Sequence, residues 1–313
     1  MNILITGSNG FIGYNLSKSL SSFHYVIGVD NDDSSDWVKK IRSSNKQVHT
    51  FYNVSINDTH SLSKIMKENA VDIVIHLAAK AGVRKSFESK YEYIDTNVNG
   101  FFSVLDAMLE ANVKKLIFAS SSSIYGNAAI TNQISQESIY AITKATDEMI
   151  ASLYSKQYNL DIVGCRFFTV YGEYGRADMA ALKWARQLLN NETLTIYGDG
   201  TVARDFTYVG DVVDAITRLI NYDFSNYNVY DIGCGEIHSA VEFVEELARV
   251  MNKNALITYS ELSKQDALLT KSDTRLFEEK YGKLKHTSIK DGINKLVKWL
   301  KEYESYCIND FVA

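Results

Sequence analysis

The segment Gly7-Ser8-Asn9-Gly10-Phe11-Ile12-Gly13 follows directly on the apolar run 2–6 and opens a stretch, 11–20, whose apolar residues recur at helical spacing. Glycines at such a junction allow a tight strand-to-helix turn, let the backbone approach a ligand, and let helix and strand pack closely. The helix that follows aims unpaired amides and the positive end of its dipole at the turn, a ready site for phosphate. A junction of this kind constrains the chain toward a parallel sheet that carries a dinucleotide on its edge. Asp30 ends the next apolar run, where a carboxylate can reach the ribose hydroxyls of adenosine, and Asn31 follows it. No arginine adjoins Asp30 in sequence to take a 2′-phosphate, which favours NAD over NADP.

The alternation continues. Residues 48–53, 72–77, 115–120 and 161–167 read as strands, while 61–69, 97–111 and 139–154 read as helices. Near-continuous β-branched strands between amphipathic helices imply a parallel sheet covered on both faces. After residue 168 the rhythm changes to helices at 178–190, 211–221, 240–251 and 288–303, with short strands at 194–197 and 229–232. The expected architecture is α/β: a Rossmann-type doubly wound parallel sheet with a smaller α+β C-terminal substrate domain. Residues 1–168, with a return segment around 203–221, would bind the dinucleotide, and 169–202 with 222–313 would bind the substrate.

Composition narrows the partners. A net charge of −5 gives no basic footprint for nucleic acid. No apolar run approaches the ~20 residues that cross a bilayer, and the N-terminus shows no basic and apolar leader. Cys165, Cys234 and Cys307 are too scattered for a disulfide scaffold and lack metal-ligand spacing. The expectation is a soluble, cytoplasmic protein without metal, membrane or nucleic-acid partners.

Candidate site residues cluster where the carboxyl ends of the strands fall. Asn53 and Val54 end the third strand within reach of an adenine. Leu77-Ala78-Ala79 offers small side chains beneath a dinucleotide, and Ser120-Ser121-Ser122-Ser123 closes the strand at 115–120. Tyr140 and Lys144 stand four apart and share one helix face. A lysine ammonium beside a phenol stabilises the phenolate, and a phenolate can take a proton from an alcohol while hydride leaves for nicotinamide. His76 and the cysteines gain no role.

Together these motifs resemble the extended short-chain dehydrogenase/reductase superfamily. They comprise the glycine pattern, Asp30, His76-Leu77-Ala78-Ala79, the serine run before Tyr125-Gly126, and Tyr140 with Lys144. The resemblance continues through the segment from Arg166 to Gly172, through Tyr197-Gly198-Asp199-Gly200, and from Arg204 to Val209. It extends to the tail around Trp299 and is nearest the nucleotide-sugar 4-epimerases, within them the enzymes acting on UDP-glucuronate. The resemblance implies NAD as cofactor, a homodimer, Tyr140 as base, Lys144 as its electrostatic partner and ribose anchor, and Ser121 as hydrogen-bond partner of the sugar O4. It places Arg204 at the diphosphate, Tyr197 near the nucleotide and Asp266 near the uridine ribose. Related dehydratases and decarboxylases carry an acidic residue where this chain has Ser122 and Ser123, which favours a reaction that expels nothing. A uronate oxidised at C4 becomes a β-keto acid prone to lose carbon dioxide, so its carboxylate must be clamped. Ser122, Thr169 and Arg176 are candidates, with Arg84 at the pocket mouth. The alternatives are a UDP-glucose or UDP-N-acetylglucosamine 4-epimerase and, in another class, a non-catalytic NAD-binding regulatory protein.

The chain contains no proline, where usage of ~5% would give about 16. Relatives often carry proline where this chain has Val71, Gln136, Glu173, Ala177, Thr193, Lys264 and His286, and the neighbouring motifs stay in register. The sequence therefore reads as a deliberately proline-free variant. Its refolding is expected to lack proline-isomerisation phases.

Overall fold

The computed structural model describes residues 1–31, 37–128, 134–262 and 267–303. Seven parallel strands form one sheet. They are β1 (Asn2–Thr6), β2 (Tyr25–Asp30), β3 (Thr50–Asn53), β4 (Ile73–His76), β5 (Lys115–Ser121), β6 (Asp161–Phe167) and an edge strand, Tyr227–Ile232. From one edge the order runs β3-β2-β1-β4-β5-β6 and then Tyr227–Ile232. The chain leaves β3 at one edge and returns on the far side of β1, so the crossover direction reverses between β1 and β4. Loops part at that point and leave a crevice at the carboxyl ends of the strands.

Side-chain alternation assigns each strand to two cores. Ile3 and Ile5 face one side with Val26, Ile75, Ile117 and Val163. Leu4 faces the other with Ile27, Val74, Leu116 and Ile162. The helices covering the sheet include α1 (Phe11–Leu20), α2 (Trp37–Ser44), α3 (Thr59–Glu68), α4 (Val83–Glu88), α5 (Lys90–Tyr93), α6 (Gly100–Glu110) and α7 (Ile139–Tyr158). Ser138 caps α7 by accepting from the Ala141 amide at 3.0 Å, and Asn159, at φ 52°, ends it in the left-handed region. α7 thus runs beyond the expected residue 154, because nothing in 155–158 breaks it.

Three departures from expectation concern the local backbone. The helix expected at 97–111 divides into a wider π-type turn, Ile94–Asn99, and α6, since the Asn97 side chain turns inward. α2 has mean hydropathy too low to stand out in sequence, yet its Trp37 stacks on Trp299 with ring centroids 5.9 Å apart. The strand Tyr227–Ile232 falls in the range expected for the smaller unit but pairs with β6 along its whole length, burying Tyr230 and Ile232.

The remaining residues build short paired strands: Phe206–Tyr208 beside Thr169–Tyr171, Leu194–Tyr197 beside Ile257–Ser260, and Ala203–Arg204 beside His238–Ser239. Helices Ala180–Leu189, Val209–Asn221, Ala240–Met251, Arg275–Tyr281 and Ile289–Glu302 accompany them. Among the described residues no helix is long and apolar enough to cross a membrane.

Candidate active site

The glycine turn is shaped by close approach. Gly7 takes φ +71° and donates its amide to Val29 at 2.8 Å, while Gly10 donates to Gly7 O at 2.9 Å. A Cβ on Gly13 would stand 2.1 Å from Gly7 O, and one on Gly7 would stand 2.7 Å from the Ala78 amide nitrogen. The turn therefore packs directly on the Leu77-Ala78 backbone, and side chains there would fill the cradle that a pyrophosphate needs. Gly7, Gly10, Phe11, Ile12 and Gly13 all line a cleft of about 670 Å³. Gly7, Leu77 and Ala79 also border an adjoining chamber of about 430 Å³, to which Ala78 contributes. The cleft is divided like a dinucleotide.

The chamber gathers most of the residues expected at adenosine. Asp30, Asn31 and Val54 line it, whereas Asn53 pairs with Asp30 in the sheet and is not among its lining residues. Asp30 Oδ2 accepts the Asn9 amide at 2.9 Å, and burial pushes the carboxyl above its ordinary range, partly countered by that bond and by Lys39 and Arg42. No arginine adjoins Asp30 in sequence, but α2 brings Arg42 and Lys39 close to it in space. The Arg42 guanidinium is buried, with Nε donating to Asn9 O and Nη1 to Tyr174 O, both at 2.7 Å. It buttresses the turn.

Ser121, Ser122 and Ser123 line the larger cleft at the end of β5, as do Tyr140 and Lys144 from α7. The Ser123 amide donates to Ser121 Oγ at 3.2 Å, which orients that hydroxyl. The Tyr140 ring meets Tyr93 edge-on at 6.3 Å, and the Tyr93 hydroxyl is fixed on the carbonyls of Ala81 and Gly82, both at 3.0 Å. Lys144 is buried, with Nζ 3.2 Å from Asp147. His76 is packed inside, its Nδ1 2.7 Å from Thr6 Oγ1, and burial with the Lys144 charge holds its imidazole down to about 3. It is a neutral core residue.

Thr169, Arg176, Arg204 and Arg84 line the same cleft. Arg176 grips Asp178 with Nε to Oδ1 at 3.0 Å and Nη2 to Oδ2 at 2.7 Å, and Nη2 reaches Ala81 O at 3.3 Å. Burial works against the Asp178 carboxylate, yet bonds and charge from Arg176 and Lys85 outweigh it and hold the carboxyl at about 2. Tyr197 does not line the cleft, but its ring lies 3.9 Å beneath the Arg84 guanidinium. Asp266 lies outside the described residues.

Sequence reasoning missed the supports. Asn97, fully enclosed, donates to Lys80 O and Thr143 Oγ1, both at 3.0 Å, and accepts the Lys80 amide at 2.8 Å, so it ties the loop after β4 to α7. A polar amide on the apolar side of a helix was the available signal. Glu148 accepts both ends of Arg166 and the Ser120 hydroxyl. Asp178 and Lys85 complete the mouth of the cleft.

The comparisons with known proteins agree with this geometry. The model of the NAD dependent epimerase/dehydratase family matches residues 3–233, and the chain belongs to that family. Protein CapI of Staphylococcus aureus is 39% identical over 331 residues, which cover 97% of this chain and 99% of that protein. The UDP-glucuronate 4-epimerase of Thermodesulfobacterium geofontis is 33% identical over 314 residues, 96% of each chain. Among solved structures, the UDP-glucuronic acid 4-epimerase of Bacillus cereus, in complex with UDP-glucuronic acid and NAD, superposes with a TM-score of 0.89 at 29% identity, covering 96% of this chain and 99% of that one. This protein is an NAD-dependent nucleotide-sugar 4-epimerase.

Proposed function

We propose that the chain interconverts UDP-glucuronate and UDP-galacturonate. The observation that carries the reading is that Ser121, Tyr140 and Lys144 line one cleft together with Thr169 and Arg176. Bound NAD supplies a reversible hydride acceptor at the sugar C4. Tyr140, as phenolate, takes the O4 proton while Ser121 Oγ holds that oxygen, and Lys144 stabilises the phenolate by charge. The 4-keto sugar turns about its pyrophosphate link, hydride returns to the other face, and Tyr140 gives the proton back. Nothing is expelled, in keeping with hydroxyls and no carboxylate at residues 122 and 123.

The keto intermediate of a uronate loses carbon dioxide when its C–C bond aligns with the ketone π-system. Ser122, Thr169 and Arg176 would hold the carboxylate out of that alignment, Arg176 through a charge-assisted bond. Arg204 would take the diphosphate, Tyr197 with Arg84 would border the nucleotide, and Asp266 would meet the uridine ribose. At the other end, Asp30, Asn31, Asn53 and Val54 would serve adenosine. Residues 1–168 with 203–221 and the edge strand Tyr227–Ile232 would form the cofactor half and the remainder the sugar half. The named activity of the Thermodesulfobacterium geofontis and Bacillus cereus proteins supports the uronate as substrate.

A homodimer is supported by α7, where Ile142, Met149 and Leu153 are 50%, 66% and 62% exposed along one side, beside exposed Phe102 of α6. Two copies would bury these stripes against each other. We propose the cytoplasm as the enzyme's compartment.

Incubation with both UDP-uronates and with UDP-glucose, followed by separation of the epimers, tests the substrate. Faster turnover of UDP-glucose or UDP-N-acetylglucosamine overturns the uronate assignment. Tyr140→Phe is expected to lose turnover by orders of magnitude with NAD still bound.

A further inference from the structure

Lys144 and Asp147 form an ion pair sealed inside the protein: Nζ meets Oδ2 at 3.2 Å, with the two side chains 2% and 1% exposed. Enclosing two charges costs desolvation on both sides, and such a pair adds little stability over apolar residues of the same size. Asp147 is also incompletely served, since its buried Oδ1 accepts no hydrogen bond among the described residues. Burial lifts its carboxyl to about 6, although the Lys144 charge and hydrogen bond pull it down. The other charges around the pair are settled. Glu148 adds negative field but is itself held by Arg166, and His76, on β4, stays neutral beside the Lys144 cation. Among the described residues Lys144 therefore has one close anionic partner, and that partner is poorly compensated.

We infer that Asp147 is a positioning residue for Tyr140 and Lys144: it fixes the ammonium against the inner wall of the cleft and offsets part of its charge. This rests on Tyr140 acting as the base. An uncompensated ammonium would hold Tyr140 most strongly as phenolate, but a phenolate so stabilised is a weaker base and takes the O4 proton more slowly. It would equally ease the return step, in which the phenol gives that proton back. An epimerase runs both steps on one tyrosine in every turnover, so a cation of reduced strength balances them. A carboxylate one helical turn from the lysine, out of reach of solvent, delivers that reduction without touching substrate.

Asp147→Asn keeps the shape and one acceptor oxygen and removes the charge. The measurement is single-turnover reduction of bound NAD by UDP-sugar, followed through the near-ultraviolet absorbance of reduced nicotinamide as a function of pH. In the variant the acid limb is expected to move to lower pH by about half to one unit, the scale on which one nearby charge acts. Above that limb the oxidation step is expected to slow, so that less reduced cofactor accumulates at steady state. A purely structural role would lower the rate equally at every pH. Asp147→Ser, smaller and able to admit water to Nζ, gives the same shift and serves if the amide is not tolerated. Asp147→Glu restores the wild-type limb. A limb that superimposes on wild type in both neutral variants, or moves upward, overturns the inference. Turnover retained in Tyr140→Phe would instead overturn the assignment of the base, so the two failures are separable.

Discussion

Arg166 clasps Glu148 with both arms of its guanidinium, Nε to Oε1 at 2.8 Å and Nη2 to Oε2 at 2.7 Å, beneath the floor of the cleft. The same carboxylate accepts the Ser120 hydroxyl at 2.5 Å, and Arg166 Nη1 donates to the Tyr125 hydroxyl at 2.6 Å, which donates to Asp231 at 2.7 Å. One network thus joins β5, α7, β6 and the edge strand directly behind Ser121. Both charged partners are largely enclosed. Arg166→Ala leaves Glu148 buried without its counter-ion and is expected to cost about 3–5 kcal/mol. Urea unfolding measures it. Arg166→Lys should recover part of the loss and no more, because an ammonium cannot make the two-armed contact.

Asp30 sets a second expectation, and here pH gives the sign. Its carboxyl titrates above the ordinary range because burial disfavours the charge. The folded apo-protein therefore holds this proton more tightly than the unfolded chain, so ionising Asp30 subtracts from stability as pH rises through its folded value. NAD binding runs the other way, since the ribose hydroxyls need the carboxylate as acceptor. Affinity for NAD should fall as pH drops through that raised folded value. Asp30→Asn should weaken NAD by about tenfold to a hundredfold, the loss of a hydrogen bond to a charged group. Titration of stripped enzyme with NAD reads both effects.

The sheet and the cofactor end were legible because they depend on local pattern. Gly7, Gly13 and Asp30 act through backbone sterics and strand ends, which sequence order specifies. Tyr140 and Lys144 were legible because helix geometry alone places i and i+4 together. The supports were not. Arg42, Asn97 and Glu148 gain their roles from partners far along the chain, and nothing in the identity of an arginine or asparagine names its partner. The edge strand Tyr227–Ile232 was assigned to the wrong half of the sequence pattern for the same reason: pairing with β6 is a tertiary choice.

Gly13→Ala tests the cradle. The added Cβ would meet a backbone oxygen, Gly7 O, at 2.1 Å, and a carbonyl in a tight turn cannot step aside as a flexible side chain can. The turn must open, which moves the amides away from the pyrophosphate. The purified variant should retain helix content by circular dichroism and carry almost no NAD. Normal NAD content would show that the turn tolerates the methyl group and that its narrowness is not what binds phosphate.

Asp178 fixes the direction in which Arg176 points. With its carboxyl held at about 2, the pair stays charged throughout the working range and loosens only as pH falls from the ordinary carboxylate value near 3.8 toward that figure. Asp178→Asn keeps the size and removes the charge that aligns the guanidinium. If Arg176 holds the uronate carboxylate, KM for the UDP-uronate should rise about threefold to tenfold, the worth of roughly one hydrogen bond. KM for UDP-glucose, whose C6 carries an uncharged hydroxymethyl group, should change little. The ratio of the two effects separates a carboxylate clamp from a general loosening of the cleft mouth, because loosening would weaken both sugars alike. Equal changes for both substrates would remove Arg176 from the uronate site and leave it as a strut between Ala81 and Asp178.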